Sequence, residues 1–273
     1  MSAIDQFREG AEPSGRMGPA RLALVLLTGA AAGFLAGLFG VGGGLVIVPA
    51  LMTVLGMDQR RASAASLVAI ILTAGAGVTS YALGGRVSWI AALFLMAGAL
   101  VGAQIGVRLL QRIPDRVLPW IFTAFVALVV IAQRVHVPVR DAVLVLDAPR
   151  AIGLVIVGLL SGVFSGLVGV GGGSIIVPGL ELLVGVGDLL ARGTSLLVMI
   201  PTAVSGTWTN ARRGLVDLKA GLLVGAMAAL VTPAGAWAAH SISPRVGGIL
   251  FSCFLVAVVV SMLGKARRAR TGR

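Results

Sequence analysis

Long blocks of apolar residues constrain the fold of this chain more than any other feature of its sequence. A helix needs about 20 apolar residues to cross the hydrocarbon core of a bilayer, which is about 30 Å thick. Lipid offers no hydrogen-bond partners, so the backbone groups of such a block must bond to one another, and a helix achieves this within one segment. The sequence therefore predicts an all-α integral membrane protein. The apolar blocks span residues 22–55, 62–83, 88–110, 117–133, 151–185, 189–210, 218–239 and 246–263.

The composition agrees with this assignment and argues against other classes of protein. Only 12% of the residues are charged, whereas a soluble domain carries about 25%. The basic residues behind the net charge of +12 lie between the apolar blocks, so we expect no nucleic-acid partner. The single cysteine, Cys253, and the separated His136 and His240 predict no metal site and no cofactor. No block carries a paired nucleophile and base, so we do not predict an enzyme.

The chain contains an internal repeat. Residues 33–51 read GFLAGLFGVGGGLVIVPAL and residues 162–180 read GVFSGLVGVGGGSIIVPGL, with twelve of nineteen positions identical. The offset of 129 residues continues without a gap as far as Phe122 and Phe251. Chance similarity between apolar segments would not keep one register over such a distance. We therefore predict two copies of one structural unit.

The first block of each repeat is too long for one crossing and is interrupted by glycine. The run GVGGG occurs at residues 40–44 and again at residues 169–173, near the middle of each block. Each glycine costs about 1 kcal/mol relative to alanine in a helix interior. Pro49 and Pro178 follow, and proline is best tolerated in the first turn of a new helix. We predict two short helices joined by a glycine loop within the membrane.

The orientation of the repeats depends on what these blocks do. If each is a hairpin that returns to its own side, every repeat keeps three full crossings and the two repeats are inverted. With both termini cytoplasmic, this arrangement places most of the 22 lysine and arginine residues on the cytoplasmic side. Blocks that cross once would give parallel repeats and fit the charges almost as well. We predict two inverted repeats, each a glycine-broken helical hairpin plus three transmembrane helices, in the cell inner membrane.

This interpretation divides the chain into five parts. They are a cytoplasmic tail at 1–21, a first repeat at 22–133, a linker at 134–150, a second repeat at 151–263 and a basic cytoplasmic tail at 264–273.

Broken helices in inverted repeats are typical of the substrate sites of secondary transporters. A helix that begins inside the membrane offers free N–H groups and a partial positive charge, and glycine lets a ligand approach the backbone. We therefore predict a small anion between the two loops. The predicted substrate-binding glycines are Gly42, Gly43, Gly44, Gly171, Gly172 and Gly173. The alternative role, close helix packing, is the one we expect for Gly33, Gly37, Gly162 and Gly166.

Hydroxyl side chains just inside the helices that follow the hairpins are further candidate ligands. These residues are Ser66, Thr194 and Ser195. A hydroxyl at such a position donates either to an oxyanion or to its own helix, and the sequence leaves both open. The first repeat has Ala65 where the second has Thr194, so we expect coordination by hydroxyls to be asymmetric.

A few residues of the second repeat are candidates for coupling or gating. Glu181 is a possible carrier of a coupling proton, although we expect it to be solvated near the outer end of its hairpin. Pro201 predicts a helix kink, and Asn210 adds a polar group that lines a path or joins helices. Arg192 either attracts anions at the mouth of a pore or pairs with Asp188 one turn earlier, a contact worth about 0.2–0.5 kcal/mol on a helix surface.

The doubled pattern G-x-x-x-G-x-x-G-V-G-G-G-x-x-x-V-P-x-L resembles the TauE/SafE family of sulfite and organosulfonate exporters, as do residues 194–196 and 214–217. The resemblance covers about residues 22–263. It implies permeation of a sulfur-containing anion such as sulfite, thiosulfate or a sulfonate, often by export. We expect a secondary transporter whose partners are a small inorganic or organosulfur anion and the lipid bilayer. An anion channel and a non-transporting assembly or sensor subunit are the alternatives, and homodimer formation stays open.

Overall fold

The computed structural model describes residues 18–110 and 147–271, together with a few single positions between them. The described residues form nine helices and no strand. In chain order the helices are α1 (Pro19–Phe39), α2 (Gly44–Val54), α3 (Gln59–Leu83), α4 (Trp89–Leu110), α5 (Ala148–Val168), α6 (Gly173–Val184), α7 (Asp188–Ala211), α8 (Leu218–Ser241) and α9 (Pro244–Thr271).

Six of these helices are long and apolar enough to cross a membrane, namely α1, α3, α4, α5, α7 and α8. The prediction of an all-α membrane protein is thereby confirmed. Helices α2 and α6 are apolar but too short for a crossing. The fourth apolar block of the first repeat, 117–133, the linker at 134–150 and most of the N-terminal tail fall largely outside the described residues.

The glycine runs break the helices where the sequence predicts. Residues 40–43 separate α1 from α2, and residues 169–172 separate α5 from α6; we call these segments loop 1 and loop 2. Three glycines in each loop have φ between 70° and 85°. This left-handed conformation costs other residue types about 1–2 kcal/mol each, so glycine is required at these positions.

The two prolines lie one turn deeper than expected. Pro49 and Pro178 are inside α2 and α6, in the second turn, because each helix already begins at the last glycine of its run. A proline lacks the N–H group, so each of these short helices forms one hydrogen bond fewer.

The chain reverses direction at both loops. Residues on the two sides of each loop lie beside each other, although in a continuous helix residues 32 and 43 would be about 16 Å apart. The neighbouring pairs are Gly43 with Ala32, Gly172 with Ser161, Gly179 with Val157, and Gly153 with Leu183. In the second repeat, a contact that lies further from loop 2 along α6 also lies further from it along α5, so α6 runs antiparallel to α5. Each broken block is a hairpin, in agreement with the hairpin interpretation.

Small residues pack the helices of one repeat against those of the other. Helix α1 lies along α8, and α5 lies along α4. A Cβ added to the glycines at these contacts would meet the backbone of the facing helix, so the predicted role of these glycines in close packing is confirmed. The facing pairs are Gly33 with Ala228, Gly37 with Thr232, Gly162 with Ala99, and Gly166 with Ala103.

Helices α3 and α7, which follow the hairpins, lie side by side through the centre of the molecule. Gly77 of α3 lies against Leu196 of α7, and Gly206 of α7 lies against Leu67 of α3. The contacts advance along one helix as they retreat along the other, so α3 and α7 run antiparallel. These two helices are equivalent in the repeat, and they carry the polar side chains that reach the loops.

Candidate functional site

Loop 1 and loop 2 meet in the core of the protein, and every residue in both is buried. A Cβ added to Gly44, directly after loop 1, would lie 2.6 Å from the carbonyl oxygen of Gly169. A Cβ added to Gly173, directly after loop 2, would lie 2.6 Å from the carbonyl oxygen of Gly40. The two loops therefore touch, and equivalent residues make the contact in both directions. Only glycine fits at the first residue of α2 and of α6.

Two serines hold the loops across the repeat boundary. Ser195 Oγ of α7 donates to the carbonyl oxygen of Gly40 in loop 1 at 2.9 Å. Its equivalent, Ser66 of α3, donates to the carbonyl oxygen of Gly169 in loop 2. Thr194 points elsewhere, since its Oγ1 accepts a hydrogen bond of 2.9 Å from the N–H group of Ser88, just before α4. The structure thus brings Ser66 and Ser195 to the predicted site and leaves Thr194 outside it; a ligand role for these hydroxyls stays a prediction.

The backbone donors of the loops are left without acceptors. Within the part of the chain that the structure describes, the N–H groups of residues 42–44 and 171–173 donate no hydrogen bond to the protein. The N-caps of α2 and α6, Gly43 and Gly172, have no side chain that could cap the helix. Buried backbone donors are nearly always paired, because an unpaired one costs about 1–3 kcal/mol. Helix N-termini with free N–H groups favour anions in general, so an anion site between the two loops stays a prediction.

An apolar pair fills the space beside both loops. A Cβ added to Gly42 would meet Met199 Cε and lie 3.4 Å from Ile70 Cγ2, and one added to Gly171 would meet Met199 Cε and lie 3.0 Å from Ile70 Cδ1. Both side chains are fully buried. Ile70 of α3 and Met199 of α7 are equivalent in the repeat, and we call them the apolar plug. Neither residue stands out in the sequence, although the 129-residue offset pairs them.

Comparison with known families decides the class of this protein. The family model described as sulfite exporter TauE/SafE matches residues 2–132 and 154–273. The chain belongs to the TauE/SafE family. The two matched ranges together cover both halves of the internal repeat, and the resemblance drawn from the doubled glycine–proline pattern is confirmed.

Several relatives of this TauE/SafE chain are described as transporters. A "Probable membrane transporter protein" of Haemophilus influenzae is 29% identical over 261 residues, which cover 89% of this chain and 98% of that protein. One of Xylella fastidiosa is 30% identical over 203 residues, with coverage of 72% and 76%. YdhB of Bacillus subtilis is 28% identical over 212 residues, with coverage of 75% and 85%. No solved structure matched the chain significantly. This TauE/SafE protein is a membrane transporter.

This transporter also carries buried charges beside loop 1. The predicted pair is present: Arg192 Nη2 lies 3.2 Å from Asp188 Oδ2, with side chains only 7% and 1% exposed. Arg192 Nη1 also donates to the carbonyl oxygen of Leu38, at the end of α1, at 2.7 Å. Because both side chains are buried, the interaction energy expected for a pair on a helix surface does not apply to Arg192 and Asp188.

The expectation of a solvated Glu181 is wrong, since that residue is only 6% exposed. Helix α6 folds back along α5, and this reversal takes Glu181 into the core.

The remaining gating candidates lie along α7. Pro201 is inside this helix, which continues through it from Asp188 to Ala211; a kink there stays a prediction. Asn210 is 1% exposed, and neither polar atom of its side chain has a hydrogen-bond partner among the described residues. Its equivalent in the first repeat, Tyr81, reaches the carbonyl oxygen of Gly37 at 2.7 Å. The shorter asparagine leaves a buried polar group unsatisfied, so its gating role stays a prediction.

Proposed function

We propose that this TauE/SafE protein is a secondary transporter that exports a small sulfur-containing oxyanion, such as sulfite, thiosulfate or an organosulfonate. The observation that carries the proposal is the pair of loops with unused N–H groups, buried together in the core. A helix N-terminus carries about half a positive elementary charge, and two of them act here on one small volume. An oxyanion has several acceptor oxygens, which suits convergent N–H donors.

The absence of a lysine or arginine from loop 1 and loop 2 also supports this proposal. A buried full charge would hold a small anion too tightly for rapid release and is costly at the centre of a membrane. Backbone dipoles attract an anion without that cost. The glycines let its oxygens approach the N–H groups directly, because no Cβ stands in the way.

We further infer that the two repeats are inverted and that both termini lie in the cytoplasm, with the chain in the cell inner membrane. The antiparallel course of α3 and α7, which are equivalent helices, supports the inversion. So does the reciprocal packing, in which α1 lies along α8 while α5 lies along α4. In an inverted pair of repeats, the hairpins that carry loop 1 and loop 2 enter the membrane from opposite sides. This symmetry is typical of alternating-access transporters.

The apolar plug favours a carrier over a permanently open channel. Ile70 and Met199 fill the space beside both loops, so a hydrated anion has no continuous polar path past them. Methionine is flexible and has three rotatable bonds, whereas isoleucine is branched at Cβ and stiff. We propose that Met199 moves when the anion passes and that Ile70 remains in place.

The proposal is tested with purified protein and a panel of anions. Sulfite, thiosulfate, sulfate, a short alkyl sulfonate and acetate are compared by thermal shift, because a ligand that binds only the folded state raises the apparent stability. Counterflow of each anion is then measured in proteoliposomes. We expect binding and saturable counterflow for at least one sulfur oxyanion and none for acetate. Equal responses to all five, or no response to any sulfur oxyanion, would contradict the proposal.

A further inference from the structure

Equivalent residues of α3 and α7 close the molecule on either side of loop 1 and loop 2. On one side Gly77 of α3 lies against Leu196 of α7, and one turn further towards that side lie Tyr81 and Arg192. A Cβ added to Gly193 would be 2.8 Å from Tyr81 Cβ, so these two residues are neighbours across the helix pair. We call Tyr81 and Arg192 the outer closure, because α3 ends on the outer side when both termini are cytoplasmic.

The other side of the loops has a closure built from the same two positions. One turn beyond the contact of Leu67 with Gly206 lie Ser63 and Asn210, which we call the inner closure. They are the repeat equivalents of the outer closure at the 129-residue offset. The side chains of both closures start from equivalent points, because the backbone follows the same course. The matching distances are 2.9 Å from Arg86 N to Tyr81 O and 3.2 Å from Leu215 N to Asn210 O, and 2.6 Å to Arg192 Cα and to Ser63 Cα from a Cβ added to Gly40 and to Gly169.

The outer closure is hydrogen-bonded to the helix that ends in loop 1. Tyr81 Oη donates to the carbonyl oxygen of Gly37 at 2.7 Å. Arg192 Nη1 donates to the carbonyl oxygen of Leu38, also at 2.7 Å. The end of α1 is therefore held by one donor from α3 and one from α7.

The inner closure lacks one of these two bonds. Ser63 Oγ donates to the carbonyl oxygen of Val168 at 2.9 Å, but Asn210 is too short to make the bond that tyrosine makes. Neither polar atom of the Asn210 side chain has a partner. The carbonyl oxygen of Gly166, which is the equivalent of Gly37, accepts no hydrogen bond from any residue that the structure describes. The closed inner end thus buries an unpaired amide and an unpaired carbonyl group.

The unpaired groups at the inner end have no access to solvent. Gln59 Nε2 at the start of α3 and Thr207 Oγ1 one turn before Asn210 are further buried atoms without a partner. All of these side-chain atoms are enclosed by protein, so water cannot bond to them in this conformation. Buried polar groups are nearly always paired, and an exception needs a physical reason, such as a second conformation in which the groups are hydrated or bound. The inner end therefore has fewer hydrogen bonds to lose on opening than the outer end.

We propose that the inner closure is the gate that opens in the resting transporter, and that the side-chain amide of Asn210 then binds a small oxyanion entering from the cytoplasm. The inference rests on the proposed function, since an exporter takes up its anion on that side. Asn210 Nδ2 donates to an oxygen of the anion. Ser63 lies against Gly169, so the anion next reaches the free N–H groups of loop 2. Arg212 and Arg213, exposed directly after α7, attract anions to the same end.

The first test measures stability and needs no substrate. Asn210→Leu keeps nearly the same shape and removes both unpaired polar atoms, so the melting temperature of the purified full-length protein should rise by roughly 2–4 °C. Tyr81→Phe is the matched change at the outer closure. It should lower the melting temperature, because the carbonyl oxygen of Gly37 loses its donor. If Asn210→Leu melts at or below the wild-type temperature, Asn210 is not the unsatisfied group that this proposal requires.

The second test asks which side is open when no anion is bound. In a Cys253→Ser background, Ser63→Cys marks the inner end and Thr194→Cys the outer end, and both residues are 1% exposed. Protein in detergent is treated with a small, water-soluble thiol reagent that reaches both sides. We expect Ser63→Cys to react about tenfold faster or more, as for a state that is populated at least about ten times as often. Adding Asn210→Leu should slow the reaction. Equal rates at the two positions, or a faster reaction of Thr194→Cys, would overturn the proposal.

Counterflow of radiolabelled thiosulfate in proteoliposomes separates the gate from the proposed substrate. Asn210→Leu should reduce counterflow, and Asn210→Gln, which keeps the amide, should retain more of it. Equal counterflow in wild type and Asn210→Leu, or an equal loss in both variants, would refute the contact between the amide and the anion. If wild type does not carry thiosulfate while Ser63→Cys still reacts faster than Thr194→Cys, the inner gate is supported and the proposed substrate is not.

Discussion

Ser195 Oγ donates a hydrogen bond of 2.9 Å to the carbonyl oxygen of Gly40, which lies 155 residues away in the other repeat. The equivalent serine of the first repeat makes the equivalent bond to Gly169. Each loop is therefore positioned by the helix of the opposite repeat. This exchange explains how two loops built from glycine, which have little rigidity of their own, keep one relative position.

Replacing Ser195 should weaken this arrangement. In Ser195→Ala the carbonyl oxygen of Gly40 stays buried without its donor, which costs about 1–3 kcal/mol. We expect a lower melting temperature and reduced anion counterflow. Thr28→Ala is the control, because Thr28 bonds only to Leu24 of its own helix near the surface. Equal effects of the two substitutions would show that the bond to Gly40 does not position loop 1.

Gly172 and Gly185 offer a matched comparison at the two ends of α6. Their φ angles are 75° and 71°, so an alanine at either position carries the same backbone strain of about 1–2 kcal/mol. A Cβ at Gly172 meets Ser161, whereas a Cβ at Gly185 meets nothing within 4 Å. We expect Gly172→Ala to abolish counterflow and Gly185→Ala to retain it, with both proteins inserted in the membrane. Comparable counterflow in the two variants would remove loop 2 from the anion site.

Shortening Met199 should open the apolar plug. In Met199→Ala the space beside Gly42 and Gly171 is no longer filled, so we expect faster anion leak from proteoliposomes and passage of larger sulfonates. A buried methionine replaced by alanine also costs about 2–5 kcal/mol of stability. Met199→Leu preserves the volume at a cost below about 1.5 kcal/mol and should stay closed. Identical leak rates for the two variants would count against a gate at Met199.

The inversion of the repeats is open to a labelling test. Gly56 and Gly185 are repeat equivalents that follow α2 and α6, and both have open space around them. In a Cys253→Ser background, Gly56→Cys should react with an impermeant maleimide only from the cytoplasmic side and Gly185→Cys only from the outside. Parallel repeats would place both cysteines on the same side of the membrane.

Local features of the sequence predicted the framework of this fold. The runs at 40–44 and 169–173 located the helix breaks, because three of the first four residues in each run have positive φ angles, which leave little choice but glycine. The 129-residue offset located equivalent helices. The same reasoning placed Ser66 and Ser195 near the loops, since each lies one or two turns into the helix after its hairpin.

What the sequence left open depends on contacts between distant segments. The sequence left open whether Ser66 and Ser195 donate to an anion or to their own helices. Both donate to loop carbonyl oxygens more than 100 residues away, which no local pattern indicates. Ser66 also lies 3.0 Å from the carbonyl oxygen of Ser63 in its own helix. Glu181 was expected at a solvated end, and only the reversal of α6 against α5 shows that it is buried. Apolar residues such as Met199 give no local signal that distinguishes a plug from ordinary core.

The most direct test of the central claim is to locate the anion itself. Selenite and selenate are heavier relatives of sulfite and sulfate, and anomalous diffraction from crystals soaked in either would mark a bound ion. We predict a selenium peak between loop 1 and loop 2, with oxygens about 2.7–3.2 Å from backbone nitrogens of residues 42–44 and 171–173. A peak elsewhere in the protein, with none between the loops, would contradict the proposed site.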